Sequence, residues 1–294
     1  MANLRDVRLR MRTIQQTLQV TKAMNLISAA KLRKGRHILE DIEPFYTRIQ
    51  KSMFDILSGA NMENSKFFSA PNKEESSRTA IIAITSDKGL AGGYNVNIFH
   101  KVNQLCGGVK NPVLILIGEI GYRYFVNSRW LILENFSYKS QLPDMEDAKE
   151  ISDYIISQYL WGMFDKIYIV YTHMYSSIKL LPRELQILPL NKNKMQEEFE
   201  KTGGKRQELS FEYWPSKGEV FDTLVPLYVK GIIYGSMLEA NVSEQSARMS
   251  AMDEASKSAE EMLADLNIRY NRARQSSITQ EITEITGGAE AISK

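Results

Sequence analysis

The chain has 294 residues and a formal net charge of +2, and its 43% hydrophobic and 24% charged residues are typical of a folded globular protein, which excludes a disordered tail protein. Its longest aliphatic runs, 80–84 and 113–117, are far shorter than the roughly 18 residues of a membrane-spanning helix, so we expect no transmembrane segment. The charged, periodic N-terminus resembles neither a signal peptide nor a transit peptide, and we therefore expect no export.

The first 58 residues are predicted to form a long amphipathic helix. Apolar residues recur at alternating spacings of three and four, as in the seam of a coiled coil: Leu4, Val7, Met11, Ile14 and Leu18. The seam then becomes small and polar at Thr21, Asn25 and Ser28. Because a proline removes a helical hydrogen bond, Pro44 predicts a kink further along.

Short β-branched and aromatic segments alternate with helical segments across the middle of the chain. The predicted strands are 79–85, 112–117, 130–136, 166–172, 185–190 and 209–214. The predicted crossover helices are 94–105, 122–127 and 147–161. This alternation predicts a Rossmann-like α/β domain with a largely parallel sheet that is covered on both faces. The polar segment 191–207 is predicted to be a solvated insertion.

A second long helix is predicted near the C-terminus. Residues 236–286 contain neither glycine nor proline, and Gly287 and Gly288 predict the end of the helix. Its seam begins at Leu238 and runs to Tyr270, after which the apolar positions slip by one to Ile278, Ile282 and Ile285. The predicted domains are a coiled-coil helix at 1–60, a connection at 61–78, the α/β domain at 79–215 and a coiled-coil helix at 216–294.

The glycine-rich loop 86–94 follows a predicted strand and precedes a predicted helix, which is where a phosphate-binding loop lies. However, Lys88 precedes the glycines instead of following them, and no hydroxyl for magnesium comes next. A tight structural turn is the favoured interpretation. A nucleotide-binding α/β enzyme with helical arms remains an alternative hypothesis.

We find no catalytic constellation in the sequence. His37, His100, His173 and the single Cys106 are scattered and have no spacing typical of a zinc site. We therefore expect no catalytic residue, no cofactor and no metal ion.

Residues 1–36 form a basic arm with nine bases and one acid. Such an arm suits either a nucleic-acid backbone or a protein partner with an acidic rim. Because the arm lacks interleaved aromatic residues and shares its helix with a coiled-coil seam, a protein partner is favoured and no nucleic acid is expected.

Three motifs give the chain a specific resemblance. They lie at 20–34 (VTKAMNLISAAKLRK), at 86–95 (SDKGLAGGYN) and between 243 and 285, where the last includes SEQ, YN, ARQ and ITQEI. In this order, over nearly the full length, they resemble the signatures of the gamma subunit of F-type ATP synthases of the bacterial type. Two positions depart from that family: Ala91 replaces the usual cysteine, and Trp214 precedes Pro215 where many relatives have an acid.

The resemblance implies a long antiparallel coiled coil of the N- and C-terminal helices with the α/β domain at its foot. It implies a central rotor stalk that couples ion translocation through the c ring to ATP synthesis or hydrolysis at the beta subunits, with no catalysis by the chain itself. The implied partners are the alpha3beta3 hexamer, the epsilon subunit and the c ring of Fo, with one copy per complex. The implied location is the cytoplasmic side of the cell membrane, as a peripheral protein held through its partners.

The resemblance also selects contact residues. Those expected to touch partner subunits are Lys22, Met24, Arg33, Arg248, Arg274, Gln275, Thr279 and Glu281. Candidates for contact with the c ring are Phe211, Tyr213 and Trp214, read as residues of an exposed strand, with burial in the α/β core as the alternative. Besides the nucleotide enzyme, a coiled-coil scaffold or chaperone without a motor role stays open as a third hypothesis.

Overall fold

The computed structural model describes residues 4–58, 65–68, 78–137, 142–176, 179–191 and 213–292. Phe211 and nearly all of the predicted insertion 191–207 lie outside these residues. The chain divides into two compact units, Ala30–Ala247 and a second formed by Met1–Ala29 with Arg248–Lys294. Within the described ranges, no helix combines the length and hydropathy needed to cross a bilayer.

The two terminal helices are the longest elements. Helix α1 spans Leu4–Ser58 with Pro44 inside it, and helix α5 spans Lys217–Ile292. The predicted end at Gly287 and Gly288 is wrong, because α5 continues through both glycines. Glycine lowers helix propensity by only about 1 kcal/mol per residue, which weakens a helix without breaking it.

In the unit formed by Met1–Ala29 and Arg248–Lys294, the helices run antiparallel. Residue numbers fall along α5 as they rise along α1: Arg8 Nη2 donates to the Tyr270 hydroxyl over 2.6 Å, and Asn25 Nδ2 donates to the Met249 carbonyl over 3.0 Å. The residues buried along this seam are Val7, Thr21, Ser28, Arg248, Met252, Ser256, Ala259 and Leu266. The predicted antiparallel pairing of the terminal helices is therefore confirmed.

The unit Ala30–Ala247 contains a five-stranded sheet in the order β3-β2-β1-β4-β5. The strands are β1 (Thr79–Ile84), β2 (Pro112–Ile117), β3 (Leu131–Phe136), β4 (Lys166–Met174) and β5 (Leu180–Leu188). The first four in the sheet order pair in parallel, and β5 pairs antiparallel to β4. The largely parallel α/β sheet predicted from the sequence is thus confirmed, with an antiparallel strand at one edge.

Alternate residues of the central strands face two different helix layers. One face, which includes Ile81 and Leu114, packs with α2 (Tyr94–Gly108) and α3 (Glu119–Phe125). The other face, which includes Ile82 and Ile115, belongs to a larger core. That core contains α4 (Met145–Leu160) and parts of both terminal helices, including Met53, Ile56, Phe221, Val225 and Ile233. Both faces of the sheet are covered, as a buried parallel sheet requires.

Gly118 occupies a turn between β2 and α3 that favours glycine. Its φ is 102°, and a Cβ placed there would lie 2.3 Å from the Thr85 carbonyl oxygen. We predict that Gly118→Ala lowers the free energy of unfolding by about 2–4 kcal/mol, because backbone strain adds to steric overlap. Denaturant unfolding of the full chain measures this. Gly107→Ala is the matched control, since among the described residues nothing outside its own stretch of α2 lies within 4 Å of its Cβ position; equal stability of the two variants would contradict the assignment.

Candidate functional site

A buried polar contact joins the helices where the seam becomes small. The hydroxyls of Thr21 and Ser256 lie 2.7 Å apart, and each also reaches a carbonyl of its own helix, at Leu18 and Met252 respectively. Small side chains allow the two helix backbones to approach closely. The change of seam predicted from the sequence therefore corresponds to a polar, hydrogen-bonded stretch of the helix pair.

The predicted contact residues of α1 differ in their surroundings. Lys22 Nζ lies 2.6 Å from Glu260 Oε1, and both side chains are about half exposed. Met24 is half-buried, and Arg33, in the unit Ala30–Ala247, is exposed. Lys22 is thus already paired within the chain, whereas Arg33 presents its charge to solvent. Their role as contacts with a partner stays a prediction.

The predicted contact residues of α5 fall into two groups. Arg248 is only 7% exposed, so most of its surface is covered by the chain itself. Arg274, Gln275, Thr279 and Glu281 are all exposed, and the Thr279 hydroxyl donates back to the Gln275 carbonyl over 2.9 Å. These four side chains are available to a partner, while the role of Arg248 as a contact residue remains a prediction.

The apolar residues at the end of α5 lie on its surface. The seam continues through the half-buried Ala273 and Ser277. The three isoleucines of the predicted slip are exposed instead, Ile278 at 48%, Ile282 at 55% and Ile285 at 71%. The slip in sequence therefore corresponds to an exposed apolar row next to the polar residues.

Tyr213 and Trp214 precede α5 and lie outside any strand, so their prediction as strand residues is wrong. The reason is local: Pro215 cannot donate to a strand ladder, and Ser216 Oγ accepts the Glu219 amide at the start of the helix. Trp214 is 89% exposed and Tyr213 is half-buried. The third member of the predicted c-ring set, Phe211, lies outside the described residues.

The glycine-rich loop is closed by bonds within the chain. Asn95 donates to Ser86 Oγ over 2.7 Å and accepts the Ser86 amide over 3.1 Å. The first amides of α3 donate to neighbouring loop atoms: Glu119 N to Asp87 Oδ1, Ile120 N to Ser86 O, and Gly121 N to Thr85 Oγ1. The two bonds between Ser86 and Asn95 join the beginning of the loop to the first turn of α2, which supports the structural-turn interpretation.

The crevice beside β1 and β4 is lined by this chain's own helix. In open α/β sheets, ligands bind outside the carboxyl ends of the strands, where the strand order reverses. Here Ser243 Oγ of α5 donates to the Thr172 carbonyl of β4 over 2.9 Å, and the His173 imidazole contacts the carboxylate of Glu239 of α5. The available sequence signals were the place of Ser243 in the third motif and the position of His173 directly after the predicted strand 166–172.

Comparisons with known proteins match nearly the whole chain. The family model described as ATP synthase matches residues 3–292. The ATP synthase gamma chain of Ruminiclostridium cellulolyticum is 43% identical over 99% of both chains, and that of Acetivibrio thermocellus is 40% identical over 99% of this chain and all of the relative.

The fold also matches a solved structure. A chain in the Euglena gracilis mitochondrial ATP synthase structure of OSCP, F1 and the c ring has a TM-score of 0.64 at 14% identity, with 98% of this chain and 94% of that chain covered. The likeness extends over the terminal helices as well as the sheet. From the family model and the full-length relatives, we conclude that the chain belongs to the ATP synthase gamma chain family.

Proposed function

We propose that the chain is the central rotor stalk subunit of an F-type ATP synthase. The observation that carries the proposal is full-length similarity to ATP synthase gamma chains, at 43% identity, in a chain whose terminal helices pair antiparallel. The exposed polar and apolar side chains near the end of α5 further support the proposal. A rotor subunit contacts its partner subunits through side chains that are exposed on its own surface.

Within this proposal the chain carries no catalytic site. It makes chemically identical beta subunits unequal in energy by presenting a different face to each of them. A rotor can shift a conformational equilibrium only through contacts that differ between the two states. The lopsided distribution of charge on the helices supplies such differences: α1 is strongly basic up to Arg36, and α5 has both signs of charge.

The partners in this proposal are the hexamer of three alpha and three beta subunits, the epsilon subunit and the c ring. A single copy of the chain stands in each complex. The complex lies at the cytoplasmic side of the cell membrane, which the chain touches only through its partners. The Euglena gracilis structure, whose title names F1 and the c ring, supports the hexamer and the c ring as partners.

Purification of the native assembly tests the proposal directly. We expect a tagged chain to elute in a large complex with three alpha and three beta subunits per copy, and native mass determination measures this ratio. Recovery of the chain alone, or as a scaffold with other proteins, would contradict the rotor function.

Arg274 tests the contacts of the exposed part of α5. We predict that Arg274→Ala complexes assemble but transport fewer ions per ATP hydrolysed, because loss of one exposed charged contact removes up to about 1 kcal/mol of interaction with the partner. Simultaneous measurement of ATP hydrolysis and ion transport in membrane vesicles gives this ratio. Arg272→Ala is the matched control, because Arg272 is also exposed and lies on the same helix. Equal ratios in both variants would exclude Arg274 as a specific contact.

Met24 tests the contact surface of α1. We predict that Met24→Lys also lowers ion transport per ATP hydrolysed without preventing assembly, because a charge replaces a half-buried apolar contact. Met24→Leu preserves the apolar surface and should retain the ratio of the unmodified complex. The same vesicle assay compares the two variants, and normal coupling in Met24→Lys would remove Met24 from the contact set.

A further inference from the structure

A groove of about 470 Å³ lies among α1, β4, β5 and α5 within the unit Ala30–Ala247. Aliphatic side chains from three of these elements form much of its lining: Leu39 and Ile42 of α1, Leu185 of β5 and Ile232 of α5. Of the residues that line it, none belongs to the three sequence motifs or to the predicted contact residues. Concave, mainly apolar sites of about 300–1,000 Å³ are the usual binding sites of small molecules. The groove is therefore large enough for a small organic ligand.

One wall of the groove contains two glycines of α5, about one helical turn apart. At Gly231, a Cβ would overlap the ring of Tyr46, which already occupies that position. At Gly235, the only described atom within 4 Å of the Cβ position, outside its own stretch of the helix, is Tyr46 Cε2 at 3.9 Å. Gly235 therefore leaves room in the groove that no described side chain fills.

Three charged side chains line the groove, two acids and one base. The Glu239 carboxylate accepts a hydrogen bond from the Met174 amide and lies near the positive charge of Arg183. Glu43 of α1 is exposed, and among the residues that the structure describes its carboxylate forms no ion pair. The groove therefore has a carboxylate at its opening that no described side chain compensates.

Tyrosine rings supply the aromatic part of the lining, at Tyr46, Tyr171 and Tyr228. The face of an aromatic ring carries partial negative charge and attracts cations. Burial raises the pKa of Tyr46 and raises the pKa of Tyr171 to about 12, so both phenols are neutral near pH 7. An apolar and aromatic groove with an uncompensated carboxylate at its opening suits a cation with an apolar body and disfavours an anion.

We propose that the groove binds an amphipathic organic cation, in which a primary ammonium group is joined to an aryl or alkyl body. The ammonium group contacts the Glu43 carboxylate, and the apolar body packs against Leu185, Ile232 and the Tyr46 ring. A small molecule of this kind matches both the charge and the volume of the groove. The bound ligand contacts α1, β5 and α5 together, and it stabilises their packing because it binds the folded chain only. The inference goes beyond the proposed rotor function and does not depend on it.

Phenylbutylammonium is a probe of this class, and phenylbutanol and phenylbutanoate are neutral and anionic relatives of similar shape. We expect phenylbutylammonium to shift the amide NMR signals of Leu185 and Ile232 in the full chain, with a dissociation constant of about 1 mM, as a ligand of this size permits. The alcohol should bind about threefold more weakly and the carboxylate about tenfold more weakly, because one exposed charge contact is lost or reversed. Equal affinity for all three probes, or shifts spread over the whole surface, would overturn the proposal.

The same spectra exclude a second copy of the chain as the occupant. Without a probe, we expect the signals of Leu185 and Ile232 to be independent of protein concentration. Movement of these signals on dilution would show that a neighbouring chain fills the groove, and it would overturn the proposal.

Glu43→Gln tests the charge contact. We expect this variant to bind phenylbutylammonium and phenylbutanol with about equal affinity, because the side chain keeps its shape and loses its charge. Glu40→Gln is the matched control, since Glu40 is exposed on the same helix and does not line the groove. It should retain the preference of about threefold for the ammonium. The same preference in Glu43→Gln would contradict the assignment.

Gly235→Ala tests the position of the apolar body. The added methyl group makes only an ordinary contact with Tyr46, and alanine favours a helix, so we expect the thermal midpoint of unfolding not to fall. The affinity for phenylbutylammonium should fall about fourfold, the equivalent of one buried methylene group. Gly218→Ala is the matched control on the same helix, because Gly218 does not line the groove. An unchanged affinity in Gly235→Ala would overturn the proposed site.

Discussion

The face of the sheet that contains Ile82 and Ile115 is buried by both terminal helices together with α4. This hydrophobic contact is the constraint on which the rest of the unit depends, because a parallel sheet must be covered on both faces. Since α1 and α5 supply part of that cover, the sheet domain cannot complete its core without them. Buried aliphatic side chains therefore connect the sheet directly to both helices.

Polar contacts make this packing specific. Apolar side chains alone tolerate small shifts along a helix pair, but the contact between the buried hydroxyls of Thr21 and Ser256 forms in only one register. In the sheet unit, the bond from Ser243 to the Thr172 carbonyl has the same effect on α5. The apolar contacts thus provide most of the stabilisation, and a few buried hydrogen bonds fix the relative positions of the elements.

The sequence predicted most of this fold because its signals are local. Periodic apolar residues define α1, and β-branched runs define β1 to β4 to within a few residues. The glycine- and proline-free run marked only 236–286 of α5, because Pro226, Gly231 and Gly235 weaken the helical signal before it, although the predicted C-terminal helix domain begins at 216, next to the observed beginning at Lys217. Packing overrides that local penalty, since the ring of Tyr46 fills the notch that Gly231 leaves. The burial of Arg248 and the pairing of His173 with Glu239 depend on distant segments, so spacing alone does not reveal them.

The position of α5 explains why a Rossmann-like sheet serves a mechanical role in this family. The crevice beside β1 and β4 is where related sheets bind nucleotides, and there the strand ends offer carbonyls and polar side chains to a ligand. In this chain Ser243 and Glu239 of α5 take those groups instead. The polar groups at these strand ends, which would orient a ligand in a nucleotide-binding sheet, therefore position helix α5 in this chain.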